Sequence, residues 1–187
     1  MNDYNYKDEI KSDTKNSLTL LNNALATGGF ALEVSKNYKF RKPLVVYSYF
    51  SKNLNESIIN NKNSIILNDD AELTLINYTD DDTKDNFMTN ITDKIIIKKK
   101  ASLKNVFINH CRCNGYFYRL IKSDLEEDSS FDNYLLTSGL KFNKLDIEIN
   151  HNKKNSRSSI FSALNLLGLE HQEIKTRINH NAPNCQS

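Results

Sequence analysis

The sequence predicts an all-β body entered through one short helix. After Gly29, apolar bursts recur at intervals of roughly 8–15 residues, separated by polar breaks rich in Asn and Asp. Several bursts alternate with period two: Leu145, Ile147 and Ile149 stand on one side of Asp146, Glu148 and Asn150, and Ile174, Thr176 and Ile178 do the same against Glu173, Lys175 and Arg177. No helical spacing interrupts the bursts, so the strands follow one another directly.

In chain order, residues 1–12 are polar and read as a flexible head. Residues 13–29 read as the helix, with Leu18, Leu21 and Leu25 at helical spacing, Asp13 or Asn16 as N-cap, and Gly28-Gly29 as its left-handed terminator. Residues 30–187 form the β core. Strands are expected near Ala31–Val34, Leu44–Phe50, Ser64–Leu67, Glu72–Tyr78, Phe87–Ile97, Leu103–Cys111, Tyr116–Leu125, Phe131–Ser138, Phe142–His151, Ser158–Leu167 and Gln172–His180. Hairpin dipeptides are scarce; Asn114-Gly115 alone offers a tight turn. Spacing and alternation admit three architectures: a sandwich, a closed barrel and a β-solenoid.

Composition narrows the function classes. A chain of 187 residues suits one domain. Twenty-five Lys and Arg against 23 Asp and Glu leave a net charge of +2, no surplus for binding a polyanion. The short runs Lys98-Lys99-Lys100 and Lys153-Lys154 read as solvated turns or strand ends. No apolar run reaches the ~18 residues of a membrane helix, and the polar start lacks a signal-peptide pattern. The expected location is cytoplasmic. There the three cysteines stay reduced.

Two clusters carry soft metal-ligand types. In His110-Cys111-Arg112-Cys113, a strand would hold both sulfurs on one face but roughly 6.6 Å apart, two residues of strand rise, with His110 on the other face. Buried thiols are the better reading there. In the closing segment, His171, His180 and Cys185 come at strand ends near the Pro183 bend, and His180 with Cys185 is the candidate metal pair. The acidic runs Asp80-Asp81-Asp82 and Glu126-Glu127-Asp128 lack calcium-loop spacing and read as solvated turns. Nucleophile-elbow, P-loop, dinucleotide and zinc-protease motifs are absent, and no acid faces a base, so no catalytic residue is assigned.

The order of segments resembles the SufB/SufD family of iron–sulfur assembly proteins. Four stretches carry the likeness: Asn22 to Phe30 leading into Ala31-Leu32-Glu33-Val34; Lys42-Pro43-Leu44; Asn68 to Tyr78; and Thr176-Arg177-Ile178-Asn179-His180 with Pro183-Asn184-Cys185-Gln186-Ser187. The last resembles the SufD side. The resemblance implies a right-handed parallel β-helix and a non-enzymatic scaffold of the SUF complex. Its implied partners are a SufB-like subunit and a SufC-like ABC-type ATPase, the latter docking through a C-terminal region beyond Ser187. By that comparison the β-helix is incomplete at its C-terminal end. The iron–sulfur cluster is then the cargo of the whole complex, with no cofactor held by this chain. The alternative reading is a solenoid or sandwich that binds carbohydrate, with Tyr116 and Tyr118 as its stacking platform.

Overall fold

The computed structural model describes residues 16–51 and 53–187; the head at 1–12 and the candidate cap Asp13 lie outside them. One helix, α1 (Ser17–Leu25), precedes eleven strands. β1 (Ala31–Val34), β3 (Ile58–Leu67), β5 (Met88–Ile97), β7 (Tyr116–Leu125), β9 (Phe142–His151) and β11 (His171–His180) form one sheet in that order. β2 (Leu44–Phe50), β4 (Glu72–Asp81), β6 (Ser102–His110), β8 (Ser130–Ser138) and β10 (Arg157–Asn165) form the other. We call them the odd and the even sheet. Every strand pairing is parallel, and the chain alternates between the sheets as a stacked coil of about five turns. The solenoid is therefore the architecture, and the sandwich and barrel are excluded.

Paired positions lie 26 residues apart at the shortest rung (Tyr116↔Phe142) and 33 at the longest (Ala31↔Ser64). Inward residues stack into ladders. Leu67, Ile97 and Leu125 sit directly over one another, each fully buried. Burying such a side chain contributes about 1.5–3 kcal/mol. The alternation read in β9 holds: Leu145, Ile147 and Ile149 are core, while Asp146, Glu148 and Asn150 face outward.

One corner repeats from rung to rung. Asn37, Asp70, Lys100, Asp128, Asn155 and Asn184 all have φ between 56° and 62°. The N–H of each of the first five donates to a carbonyl of the next rung's turn: Asn37 to Asp69, Asp70 to Lys99, Lys100 to Glu127, Asp128 to Lys154 and Asn155 to Pro183. Asn and Asp tolerate left-handed backbone better than other side-chain-bearing residues, which explains five of the six. The expected solvated turns at Lys98–Lys100 and Glu126–Asp128 are rungs of this corner. There Glu127 accepts from Lys99 at 2.7 Å and pairs with Lys154 at 3.1 Å. Hydrogen bonds from these two lysines pull its carboxyl down to about 2.

Several expected boundaries move for identifiable reasons. β3 begins at Ile58, six residues before the apolar stretch; its polar first half is held by bonds such as Asn63 Nδ2 to Asp93 Oδ1 at 2.7 Å. β6 ends at His110, so Cys111 is outside it. Asn114-Gly115 makes no hairpin; it lies where the chain crosses from β6 to β7, which are in different sheets. Asn16 caps α1, its Oδ1 accepting from Leu18 N at 3.0 Å and Thr19 N at 3.4 Å. The helix stops at Leu25 with Ala26 extended as C-cap, so Gly28-Gly29 is not the terminator. The glycines run against β3 instead: Lys62 N donates to Gly28 O, and a Cβ on Gly29, at φ +136°, would stand 1.7 Å from Lys62 O.

Candidate functional site

The ladder Leu67–Ile97–Leu125 continues upward into His151 and then His180. The two imidazoles stack with centroids 4.8 Å apart and planes 20° apart. His151 is fully buried, with Nδ1 2.7 Å from Ser156 Oγ and Nε2 3.0 Å from Ser158 Oγ. Burial first, and His180 second, pull its pKa down, so it is held as the neutral ring. His180 Nε2 lies 3.1 Å from Ser187 Oγ.

Cys185 enters the same cluster from the corner. From Asp70 onward the residue after each left-handed position points inward and is small, Ala71, Ala101, Ser129 and Ser156, all buried, and then Cys185, half-buried, whereas Tyr38 after Asn37 is large and exposed. Its Sγ lies 3.4 Å from Ser156 Oγ and donates to the Lys153 carbonyl at 3.3 Å. His180 and Cys185 are thus linked through His151 and Ser156. Three of the group, His151, Ser156 and Ser158, escape sequence reading, although the 29-residue offsets from His151 to His180 and from Ser156 to Cys185 are a signal once the rung length is known. His171 does not join them. It opens β11 while His180 closes it, and its ring stacks on Phe142 at 5.0 Å. Among the described residues no group of three or more His, Cys, Asp or Glu side chains is placed to hold a metal. The arrangement is a hydrogen-bonded imidazole–hydroxyl–thiol cluster, suited to fixing the geometry of the last rungs.

Cys111 and Cys113 are both buried, as expected, beside Phe87, Phe117 and Leu140. They sit in the crossing loop and not on a strand, so the wide strand spacing does not apply, and both pack into one cluster with Phe87, Phe117 and Leu140. Its neighbour Cys113 first, then burial and the Asp81 carboxylate, push the Cys111 thiol up, against the thiolate that metals need. Asp81 is no solvated turn residue. Its Oδ2 accepts from Arg112 N at 2.8 Å and Cys113 N at 3.1 Å and ties this loop to the rung below. His110 points outward, as predicted.

The lumen also holds an ion pair that sequence reading did not find. Arg119 Nε donates to Asp93, and its guanidinium lies 4.4 Å over the Phe107 ring. Asn63, Asn77, Thr89, Asn143 and Arg119 line a cavity of about 230 Å³ beside it. On the even side, amides run from Asn77 to Asn105 and from Asn105 to Asn133 at 2.8 and 2.7 Å.

The carbohydrate platform fails. Tyr118 is 1% exposed, its hydroxyl donating to Asp146 Oδ2 and accepting from Asn16 Nδ2 under α1. Burial, with the Asp146 carboxylate, pushes its pKa up to about 12. Tyr116 is half-buried, tilted against Phe142. No helix among the described residues is long and apolar enough to cross a membrane. A family model described as "SUF system FeS cluster assembly, SufBD core domain" matches residues 49–187. No curated protein matches the chain.

Proposed function

The chain belongs to the SufBD core domain family of the SUF system for iron–sulfur cluster assembly, and on that premise we propose that it is a SufD-like, non-enzymatic scaffold of the assembly complex. Family membership gives the chain a role in SUF cluster assembly. The SufD assignment, the SufB-like partner, the ABC-type ATPase and the cytoplasmic setting are our reading, supported by the closing His180, Cys185 and Ser187 pattern and by the character of the fold.

The observation that carries the reading is the family match lying over a solenoid whose soft residues serve as structure. Cys111 and Cys113 are packed in an aromatic cluster, and His151, His180 and Cys185 are spent on one another and on serines. A parallel β-helix of stacked ladders is stiff, and a stiff frame suits subunits that must present cluster ligands at fixed separation. In this reading the chain supplies the frame and the cluster is cargo built across the whole complex.

The test is co-expression of the tagged chain with a SufB-like subunit and its cognate SufC-type ATPase, followed by size-exclusion chromatography with light scattering. The expected result is a stable complex containing the SufB-like subunit. Elution of the chain apart from both partners, under conditions where a full-length SufD protein assembles with them, would reject the proposal. A hydrolytic or transferase activity that purifies with the isolated chain would reject its non-enzymatic part.

A further inference from the structure

On the outer face of the even sheet, two neighbouring ladders are apolar across all five strands. Val45, Ile76, Val106, Tyr134 and Phe161 form one outward ladder in register, and Tyr47, Tyr78, Ile108, Leu136 and Ala163 form the next. Neither ladder contains a charged residue. Tyr47 is 56% exposed and Phe161 53%. The one helix among the described residues packs on β3 and β5 of the other sheet. An apolar, aromatic surface of this continuity is what interface cores are made of.

The border of the face says what covers it. Tyr47 stacks on Tyr78 at 5.4 Å and on Tyr49 at 6.2 Å, making a platform of three rings. Asp80 is the cross-strand partner of Tyr49, and Asp82 is held beside it, its N–H donating to the carbonyl of Phe50 at 3.2 Å. Ring faces carry negative potential, and two carboxylates beside them add to it. The same face already seats one cation over a ring, Lys104 Nζ 5.9 Å from the centre of Tyr134. Phosphate-bearing partners, nucleic acid and anionic membrane alike, are repelled by this border.

We propose that the outer face of the even sheet docks a protein segment that is apolar along one stripe and cationic beside it, with a lysine or arginine seated over Tyr47, Tyr49 and Tyr78 against Asp80 and Asp82. Charge complementarity selects the cationic class, and the two apolar ladders supply the buried area. The inference goes beyond the scaffold reading and stands without it, because it uses only this face.

The probe is a pair of synthetic amphipathic helices of about 18 residues, five turns, with one leucine stripe flanked by arginines or, in the second peptide, by glutamates. Fluorescence anisotropy against the full 187-residue chain reads their affinities. The arginine peptide is expected to bind at least about tenfold tighter than the glutamate peptide. Asp80→Asn with Asp82→Asn removes that preference, and Tyr47→Ser with Tyr78→Ser weakens the arginine peptide about tenfold. Asn at position 80 retains the acceptor that Asp81 N uses, so the urea midpoint of that double variant stays at the parent value, and the tyrosine variant, which loses a stacked pair, keeps a single cooperative urea transition at a lower midpoint. Equal affinity for the two peptides, no binding of either, or unchanged binding by the variants overturns the proposal. So does micromolar self-association of the chain that Phe161→Ser abolishes, which would assign the face to a second copy.

Discussion

The two sheets of this solenoid share a backbone plan and differ in what they do with their outer faces. On the odd sheet, the middle outward positions are mostly polar, and several are occupied by α1 or by ion pairs. Asn22 of α1, fully buried, donates to the carbonyls of Asn61 and Asn90, and Asn90 donates back to Leu18 O at 2.8 Å. Further up, Lys122 pairs with Glu148 and Lys144 with Glu173. On the even sheet two outward ladders are Val, Ile, Tyr, Phe, Leu and Ala, with Val45, Tyr47, Leu136 and Phe161 exposed and no described element packed over them. The interiors differ too: an ion pair on the odd side, a chain of asparagine amides on the even side. A parallel coil constrains its lumen by stacking but leaves each outer face free to specialise, one to hold its own chain and the other to meet a partner.

The largest expected effect tests the interiors. Asp93→Ala leaves the Arg119 guanidinium buried without its carboxylate and is expected to cost about 3–5 kcal/mol in urea unfolding. Adding Arg119→Met to that variant should recover most of the loss; a double variant as unstable as the single would show that packing, not charge, is at stake.

A smaller effect tests the outer faces. Asn90→Ala should cost about 1–3 kcal/mol, because it strips buried partners from Leu18 and Asn60, and should speed hydrogen exchange in residues 17–25. Val45→Thr, at an equally outward position of the even sheet, should stay within about 0.5 kcal/mol of the parent. Equal losses at the two sites would erase the distinction between a covered and an open face.

The third prediction concerns pH. His151 has its pKa lowered in the folded chain, so below the ordinary histidine value the unfolded chain binds the extra proton first. Its contribution is intact above that value and is lost as pH falls toward the folded one. The urea midpoint should drop between pH 7.5 and 5.5, and His151→Leu, which extends the ladder of Leu67, Ile97 and Leu125, should flatten that slope. The smallest effect belongs to the corner where strands pass from odd to even sheet. Lys100 is the only member of the left-handed set that is neither Asn nor Asp, and Lys100→Asn should add several tenths of a kcal/mol to the thermal stability.

Much of the fold can be read from residues alone. Strand bursts, their alternation in β9 and β11, a cap at Asp13 or Asn16 and the burial of the Cys111–Cys113 pair all follow from local chemistry. The site was less legible. Of its members, His180 and Cys185 announce themselves by type, whereas His151, Ser156 and Ser158 carry meaning only once the rung length puts them beneath their partners. The leucine spacing of α1 locates a helix but not its docking face, which is Asn22, while Leu25 remains 54% exposed. Arg119 and Asp93 look like surface residues because a lone charged residue in an alternating strand gives no hint of a partner 26 positions away.

Local chemistry lays the chain out as a succession of strands, because period-two alternation and Asn- and Asp-rich breaks are properties of neighbouring residues. How those strands pair is settled by contacts distant in sequence. Parallel stacking depends on contacts roughly one rung apart, between residues whose separation varies from 26 to 33 and so leaves no fixed repeat to read. The same stacking decided that two glycines press against β3, that a cysteine tops a column of small residues, and that among the described elements α1 lies on β3 and β5 of the odd sheet.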